Sequence, residues 1–263
     1  MDTTAVRDLF DRQIRQHARP DGPGSRIERS GGVVRQVGPV DAWNGILWWD
    51  QELAGAAVDA AIAAQAQHFA SLGLDCEWKL YSHDGPADLP ARLLAAGFAA
   101  GDPETLMVAP VHGLEDAGRL PEGITLRLVA DAADREGAEL MAEVHQQAFG
   151  SDGARFRERM LAQLAADPDS VVAVVAMAGD RPVSSARMEF VPGTDFAGLW
   201  GGGTVAEWRG RGIYRALIAH RARIAAARGY QYLQVDASDE SRPILQRLGF
   251  STLGTTTPYL RPA

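Results

Sequence analysis

The segment Trp208-Arg209-Gly210-Arg211-Gly212-Ile213-Tyr214-Arg215-Ala216-Leu217 constrains the fold more than any other, because it reads as a tight turn feeding directly into a helix. Two glycines one residue apart let the backbone turn sharply and expose successive N–H groups. The helix that follows aims the partial positive charge of its N-terminus at the same point. Together they make an anion cradle suited to a pyrophosphate. From Glu207 to Arg228 six arginines stand against one glutamate, a local charge of +5 within a chain whose formal net charge is −8. A concentrated basic stretch fits a phosphate-bearing small molecule, whereas the acidic whole argues against general binding to nucleic acid or a membrane surface. A solvated arginine face would explain the helix positions but not Arg209 and Arg211, which flank the glycines.

The cradle sits late in a second half whose elements are legible. Ile124–Val129 alternates as a strand, and apolar residues recur at helical spacing from Arg135 to Phe149. A second helix is expected from Ala154 to Ala166, stopped by Pro168. Strands follow at Val171–Met177, Pro182–Val191 and Phe196–Val205, the last carrying Gly201, Gly202 and Gly203, a sign of a bulge or a close backbone approach. After the cradle come its helix, a strand Tyr230–Val235, a helix Ser241–Leu248 and a tail expected to pair as a strand.

At roughly 150 residues per domain, 263 residues point to two units. Between Met107 and Gly123 the composition is that of a linker (Pro110, Gly113, Gly118, Pro121). The expected divisions are therefore 1–110, a linker 111–122, and 123–263. The first half echoes the second. An alanine-rich helix (Ala54–Leu72), a strand ending at Tyr81 and a helix closing Leu93-Leu94-Ala95-Ala96-Gly97-Phe98 match the order that closes Leu245-Gln246-Arg247-Leu248-Gly249-Phe250, with both Gly-Phe pairs offset by 152 residues. A glycine after a helix followed by an apolar contact explains each pair singly. The shared order of elements points to internal duplication. The first copy lacks the cradle: the equivalent place falls near Ala56 to Ala60, and its surroundings carry Asp50, Gln51 and Glu52 instead of an Arg/Gly loop.

Other classes find little support. The single cysteine, Cys76, rules out an internal disulfide and CxxC motifs, and the six histidines show no metal-ligand spacing, so no metal is expected. The longest strongly apolar run, Val171–Ala178, is far short of the about 20 residues that cross a bilayer. With no basic and apolar leader at its start, the chain is expected to be cytoplasmic. A dinucleotide fold would need a small residue where Arg215 stands in Gly210-x-Gly212-x-x-Arg215, and only about 50 residues follow the motif, too few to complete a parallel sheet.

Arg209-x-x-Gly212-x-Tyr214, with the helix, strand and helix ending Leu248-Gly249-Phe250, resembles the pyrophosphate loop and C-terminal part of the GNAT superfamily of acyl-CoA-dependent N-acyltransferases. The family's last loop position is Gly or Ala, and here it is Tyr214. The resemblance implies a mixed α/β (α+β) fold of two GNAT-like domains, each a mixed, mostly antiparallel central sheet flanked by helices, the N-terminal one degenerate. It implies acetyl-CoA as co-substrate, with Gly202, Gly203 and Thr204 beside the pantetheine arm and the N–H groups of Arg209, Gly210, Arg211, Gly212, Ile213 and Tyr214 on the pyrophosphate. It further implies transfer of an acetyl group to a primary amine of a small molecule or peptide. The family's usual thiolate acid, a tyrosine, falls at Leu245, and its usual asparagine falls at Ser238, whose hydroxyl is the remaining donor. For the base the candidates are Glu189, in the strand Arg187–Phe190, and His145, whose unperturbed pKa of about 6.5 suits proton transfer at neutral pH. With the acid missing, a non-catalytic acyl-CoA-binding or regulatory module is the alternative. Neither the acceptor nor the oligomeric state is legible.

Overall fold

The computed structural model describes every residue except Ser151 and divides into two compact units. Unit 1 comprises Met1–Met107 with Asp236–Pro243 and Thr252–Ala263, and unit 2 comprises Val108–Val235 with Ile244–Ser251. The linear boundaries expected from the sequence differ at two places. Met107–Pro110 is not linker but the end of a strand, with Met107, Val108 and Ala109 buried. The last strand of the chain belongs with the first unit, because its backbone pairs there and not beside the cradle.

Unit 1 opens with α1 (Thr3–Phe10), capped by the Asp2 carboxylate, which accepts from the Thr4 and Ala5 N–H groups. Next come β1 (Arg26–Ser30), β2 (Val33–Val37), β3 (Gly45–Trp49), α2 (Ala56–Ser71), β4 (Cys76–Tyr81), α3 (Leu89–Ala95), β5 (Ala99–Ala100) and β6 (Glu104–Pro110). β1, β2 and β3 pair antiparallel, and β3 pairs parallel with β4, as a strand–helix–strand crossover through α2 requires. Trp49 and Trp78 pack with ring centroids 5.1 Å apart in a core shared with Ile46, Phe69 and Leu93. Of the clustered Trp43, Trp48 and Trp49, Trp49 is thus core. The buried Arg15 guanidinium is forked by Asp84 at 2.9 and 2.8 Å and lies over the Tyr81 ring, an ion pair locked by a second carboxylate, Asp11.

Unit 2 runs β7 (Ile124–Val129), α4 (Arg135–Phe149), α5 (Gly153–Ala166), β8 (Val171–Ala178), β9 (Arg181–Phe190), β10 (Phe196–Thr204), α6 (Ile213–Ala227) and β11 (Tyr232–Ala237). These follow the expected elements closely, because each carries its own start and stop chemistry. Asp134 caps α4 by accepting from Gly137 N–H at 2.9 Å, Gly150 ends it in the left-handed region, and Asp152 caps α5. The strand order is β11-β10-β9-β8-β7, antiparallel except for β10 with β11. β8 is covered on both faces: Ala173 and Val175 pack with Met141, Met160 and Leu164, and Val174 and Ala176 with Ile213 and Leu217. Past β11 the chain forms α7 (Arg242–Arg247) and β12 (Ser251–Arg261), which pairs antiparallel with β4.

Both units thus contain a strand, a crossover helix and a parallel strand (β3-α2-β4 and β10-α6-β11). Among the described residues no helix is long and apolar enough to cross a membrane, and no group of His, Cys, Asp and Glu is placed to hold a metal ion.

Candidate active site

The cradle forms where β10 leaves its parallel partner. β10 pairs with β11 only over Phe196–Gly198, yet it runs on to Thr204. Six residues, Leu199–Thr204, therefore have an edge not paired with β11, the sort of open backbone that bonds an amide-bearing ligand. On its other side β10 pairs with β9, but the register shifts between Trp200 and Gly203, and Gly201 sits at φ +57°. This is the expected bulge, and it bends the strand away. Gly202 and Gly203 are needed for opposite reasons, as strand alternation demands. A Cβ on Gly202 would meet the Tyr214 ring at 3.1 Å, and one on Gly203 would stand 2.8 Å from Ala148 Cβ and from Phe149 Cε2. The tyrosine that departs from the family's small residue is thus accommodated by the bare Cα of Gly202. Burial raises the Tyr214 phenol above its ordinary pKa, so it stays neutral.

Gly210 (φ +75°) and Gly212 (φ +86°) turn the loop, and Gly212 is the N-cap of α6 with no side-chain cap. The first turn of α6 therefore has no side-chain acceptor at its cap, the arrangement that suits an anion. Arg209 Nε donates to the Thr204 carbonyl at 3.1 Å, tying the loop to the strand end, and Arg211 donates to Glu207 O at 3.0 Å while its guanidinium lies 4.4 Å from the Trp208 ring centre. Both arginines are exposed and close to the cradle, as a phosphate site requires. Ser184, which sequence reasoning passed over, is fully buried; its hydroxyl donates to Gly203 O at 2.6 Å and lies 2.8 Å from Thr204 Oγ1. Arg221 is not part of the exposed basic face. It lies buried beneath β10, donates to Arg187 O at 2.9 Å and to Leu217 O at 3.2 Å, and has no carboxylate partner among the described residues. Burial lowers its pKa to about 10, which still leaves it charged at neutral pH.

The base candidates lie on the opposite face of the sheet from α6. Glu189 and Arg187 are cross-strand neighbours of Gly198 and Trp200, and Arg187 Nε stands 3.2 Å from Glu189 Oε1. His145, on α4, stacks on Phe156 at 4.3 Å, and Arg187 approaches that same ring. Burial first, and the Arg187 charge second, push the His145 pKa below its ordinary value. The imidazole is therefore neutral near pH 7 and able to take a proton. Glu189 is already engaged as the partner of Arg187. Ser238 falls in unit 1, exposed, its hydroxyl 3.3 Å from Ser241 Oγ at the entry to α7. Leu245 is fully buried, so a tyrosine there would overpack α7 rather than present an acid.

The sheet opens at a parallel strand pair, and an uncapped helix N-terminus and two flanking arginines stand at the end of the opened strand. Residues 135–250 match the model of the Acetyltransferase (GNAT) family. The whole chain has the GNAT fold: it is similar to a GCN5-related N-acetyltransferase from Kribbella flavida (18% identity, TM-score 0.70, covering 100% of this chain and 96% of that one). It is similar also to a conserved protein of unknown function from Staphylococcus epidermidis (15%, 0.72, covering 98% and 99%). A third similar structure is a tandem GNAT protein from the clavulanic acid biosynthesis pathway (12%, 0.66, covering 99% and 94%). No curated protein matches the sequence.

Proposed function

We propose that the chain is an N-acetyltransferase that moves an acetyl group from acetyl-CoA to a primary amine of a small molecule or peptide. The observation that carries this reading is the unpaired β10 edge ending at the Arg209–Tyr214 cradle. The residues present fit the co-substrate: Gly202–Thr204 offer backbone to the pantetheine amides, and Arg209, Arg211 and the N–H groups of residues 210–214 offer positive charge to the pyrophosphate. Acetyl-CoA supplies an activated thioester. His145 accepts the proton of the attacking amine, Arg187 and Glu189 hold each other beside it, and the thiolate departs without a dedicated acid, since Leu245 is apolar and buried. Unit 1 is read as a second GNAT-like copy that no longer binds coenzyme A. Its α2 is preceded by Asp50 and Glu52, carries Asp59 in its first turn, and lacks flanking arginines. The match along the whole chain to a tandem GNAT protein supports this reading. A cytoplasmic location fits the same picture.

Release of coenzyme A thiol across a panel of amines and peptides tests the activity. Saturable release with at least one acceptor, weakened by Arg209→Glu, supports it. Calorimetric binding of acetyl-CoA with no release for any acceptor supports instead the second reading, a non-catalytic acyl-CoA-binding module, which the buried Leu245 favours.

A further inference from the structure

Gly198 marks the vertex where β10 and β11 part, and its bare Cα has two neighbours of one kind. A Cβ added there would stand 2.7 Å from Trp200 Nε1 and 2.8 Å from Gln234 Nε2. Both are N–H donors. Trp200 follows Gly198 by two residues on the same strand face, and Gln234 is the register partner of Gly198 across the parallel pair. Gln234 is only 8% exposed, and both nitrogens crowd the bare Cα of Gly198.

We propose that the Trp200 indole N–H and the Gln234 side-chain amide form a two-donor cradle for the thioester carbonyl oxygen of the acyl donor, a role that rests on the acetyltransferase reading. The path of the donor sets the placement. With the pyrophosphate at Arg209–Tyr214 and the pantetheine along Thr204, Gly203 and Gly202, the thioester end reaches back along β10 toward Trp200 and Gly198. When the amine nitrogen adds to the carbonyl carbon, a C–N bond forms and the carbonyl π pair moves onto oxygen. Two preorganised donors at that oxygen stabilise it more in the transition state than in the ground state. Collapse restores the C=O and expels the thiolate, and the amine proton leaves to His145. Gly198 is glycine because any side chain would displace both donors.

The carbonyl stretch of acetyl-CoA labelled with ¹³C at the carbonyl, read by infrared difference spectroscopy on the whole chain, tests the role without any acceptor. In the wild type the bound band lies below that of free acetyl-CoA. In Gln234→Leu and in Trp200→Phe it returns most of the way to the free position, while the dissociation constant for coenzyme A, which has no carbonyl there, stays within about threefold and reports that the fold is intact. Wild-type binding with an unshifted band overturns the donor role alone: the Gln234 amide oxygen then accepts from the indole and the pair merely packs. Failure of the wild type to bind acetyl-CoA overturns the acetyltransferase reading and this role with it.

Discussion

Replacing Gly212 by alanine isolates the conformational part of the cradle. Gly212 holds φ +86°, and an added Cβ would meet nothing within 4 Å, so the change introduces no clash and removes no contact. What remains is the cost of holding an L-residue in the left-handed region, about 1–2 kcal/mol. That cost has two places to fall. If the loop keeps its shape without ligand, held by Arg209 on Thr204 O and Arg211 on Glu207 O, the folded state bears it and thermal unfolding moves down by roughly 2–4 °C per kcal/mol. If the exposed loop relaxes, the cost appears when acetyl-CoA restores it, as a roughly 5- to 30-fold weaker dissociation constant. The two losses together should come to about 1–2 kcal/mol. Gly179, at φ +59° in the β8–β9 turn and also with open space beside it, is the control: Gly179→Ala should lower stability by a similar amount and leave acetyl-CoA affinity alone. Thermal unfolding and calorimetric titration of both variants decide the matter. An unchanged Gly212→Ala, or a Gly179→Ala that weakens acetyl-CoA as much, would refute the assignment of the loop.

Because the folded His145 pKa is depressed below 6.5, the neutral ring is favoured in the fold; its contribution to stability is present above pH 6.5 and is lost as pH falls through the folded value. The acid limb of kcat/KM should accordingly have its midpoint below 6.5 and disappear, with a lower plateau, in His145→Gln; a limb that survives in this variant assigns the base elsewhere. Gly203→Ala places a Cβ against Ala148 Cβ, which is fixed to the α4 backbone, and should destabilise unit 2 by about 1–3 kcal/mol in denaturant titration; a neutral outcome would show that α4 does not back the strand. Cys76 is buried, and burial lifts its thiol to about 12, so the native protein should be silent toward a thiol reagent that titrates one equivalent after unfolding. Rapid labelling of the native chain would contradict the packing around β4.

Much of unit 2 was legible because its elements announce themselves locally: helical apolar spacing between the Asp134 cap and Gly150, a β-branched run at Val171–Ala178, and the glycines of β10 and the cradle. What was not legible depends on partners distant in sequence. The pairing of β12 with β4 joins residues some 180 positions apart, and no local pattern encodes it. β6 was hidden because Pro110 and the glycines after it outweighed a short apolar run. In the candidate site, the turn at Gly210 and Gly212 and the helix that follows it were readable from glycine spacing. The burial of Arg221 and the pairing of Gly202 with Tyr214 needed the face that each side chain takes. Gln234 carried no motif at all. Only the end of strand pairing at Gly198 sets it beside Trp200.

Calorimetric titration of the whole chain with acetyl-CoA, with NAD as the competing cofactor class, bears most directly on the account. One equivalent of acetyl-CoA per chain, lost in Arg209→Glu, with no heat from NAD, is the predicted result. No binding of acetyl-CoA, or a second equivalent that Arg209→Glu leaves intact, would contradict a single cradle in unit 2.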